Sequence, residues 1–247
     1  PSWKNNFSQV LAQLSKTDKL ETNLTVGASS LPVQSFFGSN FDSSISLNDY
    51  ETPYLESGEG GLGLGATYQL GDSRLLVGMT NPINQSSDSV IGLRKSLVAS
   101  LEYGNPADSA ITFMAGVTQD KDSLLGSTGD SAYSLSGSKS NTTFTAFKAQ
   151  TQLGQDLSLT GIATLANTNM TRPDNSFINS ASNVKSTSVS LIANKGNVFG
   201  DDSMSLFVSQ PNRVSDGSMS IRLSNLADSN GNLSYRNKDI NLEPTAR

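Results

Sequence analysis

The 247-residue sequence contains no cysteine and no histidine. The first absence excludes disulfides and thiolate metal sites. The second removes Ser-His-Asp catalysis, histidine-ligated zinc and histidine pH switching together. Aromatic residues are only 7% of the chain and charged residues 16%. No run approaches the ~20 apolar residues of a transmembrane helix. The net charge is -5 with no basic stripe, so no nucleic-acid partner is expected. The start Pro1-Ser2-Trp3-Lys4 has no basic and apolar leader, so the sequence is expected to be a mature or excised piece.

What the chain does have is alternation. In Gly61 to Leu70, the residues Leu62, Leu64, Ala66, Tyr68 and Leu70 share one face. Glycine, threonine and glutamine share the other. A period of two means strand. An apolar face backed by small and polar side chains suits a barrel wall between lipid and a polar lumen. The same pattern recurs. Leu97, Ala99, Leu101 and Tyr103 oppose Ser100 and Glu102; Ile111, Phe113, Ala115 and Val117 oppose Thr112 and Gly116. Phe147, Ala149 and Leu153 oppose Lys148 and Gln150, and Met204, Leu206 and Val208 oppose Ser205 and Ser209. On polar faces, Glu102 and Lys148 are candidate lumen-facing residues, because a charge facing lipid at mid-depth costs ~2–4 kcal/mol. Tyr68, Tyr103, Phe144 and Tyr235 are candidate aromatic girdle residues.

Turn signals divide this pattern into hairpins. Strands are expected over 61–70 and 73–80, 96–104 and 109–119, 142–153 and 156–168, 185–194 and 203–210, and 217–224 and 232–241. Long polar connections over 81–95, 120–141 and 169–184 alternate with the short turns, the asymmetry of outer-membrane barrels. Ahead of them, Phe7, Val10, Leu11 and Leu14 are spaced i, i+3, i+4, i+7 and predict a short amphipathic helix over residues 4–16. Ser44 to Leu47 looks like a short strand. The expected fold is therefore an all-β, antiparallel up-and-down β-barrel of about 10–12 strands with a short N-terminal helix. Residues 1–57 would be a linker and residues 58–247 the barrel domain.

Motifs that spell chemistry fail on context. Gly58-Glu59-Gly60-Gly61-Leu62-Gly63 fits G-x-G-x-x-G, but a strand follows where a dinucleotide site needs a helix. Ser136-Gly137-Ser138-Lys139 fits S-x-x-K, but no Lys-Thr-Gly accompanies it. Asp120, Asp122 and Asp130, and Asp201-Asp202, are loop acids without an EF-hand pattern. Asn23-Leu24-Thr25 and Asn141-Thr142-Thr143 are glycosylation sequons by spelling alone. No catalytic residue, cofactor or metal is expected.

Two blocks near the end carry a resemblance. Ser209, Gln210, Pro211, Arg213, Val214 and Gly217 fill S-Q-P-x-R-V-x-x-G, and Leu242, Pro244 and Arg247 fill L-x-P-x-x-R. Together they resemble the C-terminal region of bacterial subtilisin-like (S8 family) serine peptidases of the autotransporter type. The resemblance implies an outer-membrane translocator or anchor domain in a Gram-negative bacterium. Its implied partners are outer-membrane lipid, the barrel-assembly machinery and a passenger peptidase domain. The peptidase domain itself is not in this sequence, so no protease activity is implied here. Such proteins usually continue for about two strands beyond the position of Arg247 and end in an aromatic residue. The alternative is a soluble secreted or cell-surface β-barrel or sandwich, an adhesin-like binding or assembly subunit whose long loops carry the partner site.

Overall fold

In a computed structural model the chain forms one antiparallel sheet in which every strand pairs with its sequence neighbours, β1 to β11 in order. The structure describes residues 10–27, 54, 61–82, 94–105, 108–125, 127, 129, 131–154, 156–200, 202–225 and 230–243. The strands are β1 (Val10–Lys16), β2 (Leu20–Gly27), β3 (Gly61–Leu70), β4 (Ser73–Pro82), β5 (Arg94–Asn105) and β6 (Ser109–Lys121). They continue as β7 (Lys139–Gln152), β8 (Leu157–Met170), β9 (Ile178–Gly196), β10 (Ser203–Ser224) and β11 (Tyr235–Asn241). The all-β, up-and-down antiparallel expectation holds. Closure does not follow from it: among the described residues β1 and β11 are edges and do not pair with each other. β11 is wholly exposed and carries Arg236, Lys238 and Asp239, charges that blunt an edge against further pairing.

The predicted helix is corrected over its described part. Val10–Lys16 is a strand, laddered to β2 from Val10↔Val26 to Lys16↔Glu21. A short apolar run fits either period, and cross-strand pairing decides it. A register shift between Gln13 and Ser15 breaks the alternation that would have marked the strand. Residues 4–9, and the strand expected at Ser44 to Leu47, lie outside the described residues. β2, not expected from the sequence, pairs with β3 along its whole length. The sheet therefore begins well before Gly58, and residues 10–27 belong to it rather than to a linker.

A second correction concerns the far end. The segments expected as separate strands at 203–210 and 217–224 are one strand, β10, paired to β9 with four register shifts. The first falls at Pro211-Asn212, between Gln210 and Arg213. Proline has no N–H to give the ladder and is confined to bulges or edges. Another flanks Gly217, whose φ is +142° and where a Cβ would lie 2.8 Å from the Cα of Val184. Gly217→Ala is therefore expected to destabilise by about 1–3 kcal/mol, the cost of one strained residue. A urea titration of the folded fraction reads it, and an unchanged midpoint would remove the steric argument.

Short connections join β1–β2, β3–β4, β5–β6, β7–β8 and β9–β10, and longer ones join β2–β3, β4–β5, β6–β7 and β10–β11 at the other end; the long connection expected over 169–184 is corrected to residues 171–177, because β9 already begins at Ile178. On that side a cluster of Leu124, Leu135, Met170, Ile178, Ala181 and Val184 packs with Val214, Met219 and Leu242. It ties the 122–138 connection to the long ends of β8–β10.

Candidate functional site

The two faces of the sheet differ in character. The inner face mixes buried serine and threonine with buried apolar side chains such as Val98, Phe144, Ile162 and Ile192, while large apolar side chains such as Leu97, Phe113, Leu165 and Leu206 stand on the exposed face. Along β5, Arg94, Ser96, Val98 and Ser100 are buried while Leu97 is 53% and Leu101 46% exposed. Leu165 on β8 and Leu206 on β10 are 61% and 63% exposed, whereas Thr160, Thr164, Thr168 and Ser190 are buried. Strand geometry enforces the split, since successive side chains point to opposite faces. Tyr68 and Tyr103 lie on the exposed apolar face, as girdle residues would. Phe144, expected among them, is buried on the inner face instead, at 2% exposure. Its even position on β7 puts it with Thr142 and Ala146, which are also buried.

The apolar band runs obliquely to the hydrogen-bond rows. One row reads Leu64↔Met79↔Leu97↔Val117 and then turns polar as Thr143↔Asn167↔Lys185. A row nearer the short turns stays apolar or small across the later strands, Ile111↔Ala149↔Gly161↔Leu191↔Val208. Between these two rows the apolar band shifts along the strands, so the strands are tilted relative to it.

The inner face is layered by the same register. Nearest the long connections lies a buried ion pair, Arg94 Nε to Asp120 Oδ1 at 2.5 Å and Nη2 to Oδ2 at 2.9 Å. Beside it runs a hydroxyl row, Thr80↔Ser96↔Thr118↔Thr142↔Thr168, with Thr142 and Thr168 bonded at 2.7 Å. An apolar layer follows, Val98↔Gly116↔Phe144↔Ala166. The Phe144 ring lies over Gly116, where a Cβ would sit 2.6 Å from it. Nearest the short turns comes a charged row, Arg74↔Glu102↔Thr112↔Lys148.

Both candidate lumen residues thus fall on the inner face. Glu102 accepts a hydrogen bond from Arg74 Nη2 at 2.7 Å. Lys148 stands two strands away on the same row, about 10 Å by strand spacing. The resemblance residues Ser209, Gln210, Pro211, Arg213, Val214 and Gly217 all lie on β10 around its bulges; Pro244 and Arg247 lie outside the described residues. Asp122 accepts a hydrogen bond from the Gly137 amide and Asp202 from the Phe199 amide. These two loop acids thus serve local turns, and Asp120 serves Arg94.

One inner-face residue comes from outside the strands. Tyr54, 2% exposed, joins Val98, Met114, Phe144, Ala146 and Ala166 in one cluster. Its ring stacks on Phe144 at 5.4 Å. Its hydroxyl donates to Asn212 Oδ1 at 2.7 Å and lies 2.6 Å from Ser186 Oγ. A phenol has one proton, so Ser186 donates to Tyr54 while Tyr54 donates to Asn212. Contacts to β7, β9 and β10 from one side chain mean the sheet curves around it. Sequence reasoning passed over Tyr54 because no periodicity surrounds it. Arg94 and Asp120 did carry a signal: they continue the polar-face parity of Ser96 to Glu102 and of Thr112 to Thr118.

No protein-family model, curated protein or solved structure matches this chain.

Proposed function

We propose that this chain is the membrane-embedded β-domain of an outer-membrane protein, a translocator or anchor that does no chemistry itself. The observation that carries the reading is the exposed apolar face of the sheet. Large apolar side chains from β3 to β10 stand exposed, and soluble monomers rarely leave contiguous apolar patches larger than a few hundred Å² in water. Lipid satisfies this face, and the meander pairs the backbone amides of every strand between its edges; in a bilayer β1 and β11 must also be paired, by closure or by further strands. Short turns on one side and long connections on the other agree with insertion from the periplasm. Glu102, Lys148 and Arg74 then face the lumen. The S-Q-P-x-R-V block on β10 keeps the autotransporter likeness as the specific form of the proposal, with a passenger and the barrel-assembly machinery as partners. A soluble adhesin-like module is disfavoured, because it would bury the apolar face and wet the polar one.

The test is fractionation of cells expressing the chain, followed by gels of unboiled and boiled samples. Recovery in the outer membrane with a mobility shift on boiling is the expected result. A protein that stays soluble and monomeric without detergent overturns it.

A further inference from the structure

We propose that the exposed apolar face carries a site for one acyl chain of a phospholipid, in a groove that crosses β5 to β9 near their short-turn ends. The proposal rests on the membrane reading above and adds a ligand to it. The groove holds about 550 Å³, within the range of small-molecule sites. Tyr103, Ile111, Ala149, Leu159, Gly161 and Leu191 line it, and from β5 to β9 it spans about 19 Å by strand spacing. Its floor is a notch in one register row: Ile111↔Ala149↔Gly161↔Leu191 runs large, small, small, large. Gly161 has no reason within the chain to be glycine. It lies inside β8 without a positive φ, and a Cβ there would have nothing within 4 Å. Gly116 on the inner face differs, since the Phe144 ring fills the space its missing side chain leaves. Glycine inside a strand weakens it and marks a place where a ligand or another backbone comes close.

The chemistry of the groove selects its occupant. No lining residue is charged, so it sorts ligands by shape and apolarity and offers no anchor for a multiply phosphorylated headgroup. Its turn end is polar, with Ser109 Oγ and Thr151 Oγ1 2.9 Å apart. There the ester and glycerol oxygens of a lipid find hydrogen-bond partners while the chain runs over Ala149 and Gly161. In the orientation proposed above that end faces the periplasm, where the leaflet is phospholipid. A second copy of this chain fits less well. The sheet curves around Tyr54 on its inner side, so the outer face is convex. Two convex faces touch over too little of the roughly 1,000 Å² that a specific interface needs, whereas a flexible chain follows the groove.

The experiment is native mass spectrometry of the full chain, extracted from membranes in mild detergent and offered phosphatidylethanolamine together with lipopolysaccharide. Wild type is expected to keep one phospholipid at collision energies that strip the detergent. Gly161→Leu fills the notch from β8 and Ala149→Leu fills it from β7; each is expected to insert, show the heat shift and lose that phospholipid. Leu206→Ala, on the same face but outside the groove, is expected to keep it. Retention that survives both filling variants overturns the proposal, as does equal loss in Leu206→Ala, which would mark the lipid as adventitious. Retained lipopolysaccharide in place of phospholipid also overturns it. So does a dimer that Gly161→Leu dissolves, which would give the notch to a second copy. A wild type that sits in the membrane with the heat shift and holds no lipid overturns the groove alone. A chain found only in the soluble fraction overturns the membrane reading, and the groove with it.

Discussion

Phe113→Arg is expected, on the proposed membrane reading, to destabilise the protein by about 2–4 kcal/mol, the cost of a cationic side chain on a lipid-facing strand at mid-depth. Phe113 is 53% exposed on β6. Its row neighbours are Leu101 and Phe147, themselves exposed and apolar, so an arginine there meets no counter-ion. In water the same exposed position would tolerate a charge within about 0.5 kcal/mol, as surface substitutions usually do. The sign of the response thus separates lipid from water as the medium of this face. Urea titration of the folded fraction in detergent or lipid reads it. Unchanged stability, with better solubility, would put the face in water and remove the membrane reading. Thr112→Arg, one residue along and facing inward beside Glu102 and Lys148, is the matched control, because a charge there meets other polar groups.

The second large effect is expected at the Arg94–Asp120 pair. Asp120→Ala should cost about 3–5 kcal/mol, because it removes the bidentate carboxylate partner of a buried guanidinium. Asp120 is 1% and Arg94 7% exposed, and their two contacts run side by side as a fork. Replacing both together, as Arg94→Met with Asp120→Leu, is expected to recover most of the loss, since a buried pair is often near neutral against apolar residues of similar size. A double-mutant cycle in urea measures the coupling. Additive losses would show that the two charges do not depend on each other.

Where the alternation of side chains was unbroken, strand position and facing could be read directly from the residues. β5 and β6 are the clearest examples: Leu97 to Tyr103 and Ile111 to Val117 set the exposed face, and Glu102 falls on the inner one. β1 was misread because its register shift between Gln13 and Ser15 disrupts the period of two, leaving a four-residue spacing that mimics a helix. β10 was split because Pro211 and Gly217 look like strand ends, whereas here they sit in bulges within one strand. The ion pair was half legible, since parity places Arg94 and Asp120 inward but only the register makes them opposite. Tyr54 had no local signal at all. Its position depends on a stack and two hydrogen bonds to residues 90, 132 and 158 positions along the chain, and pairwise contacts over such separations leave no trace in local periodicity.

β10 has 22 residues, while a tilted strand crosses a bilayer in about 9–11. Its outward apolar side chains end near Val208, and beyond the bulge Asp216 meets Lys185 of β9 at 2.7 Å in an exposed ion pair. In an outer membrane the remaining half of β10, flanked by β9 and β11, would stand clear of the lipid as a paired ribbon. Arg222 over the Tyr235 ring at 4.2 Å helps to stiffen it. An antibody or a phage tail approaching the cell would then meet a pre-shaped epitope rather than a loose loop, and would give up little ordering entropy in binding it.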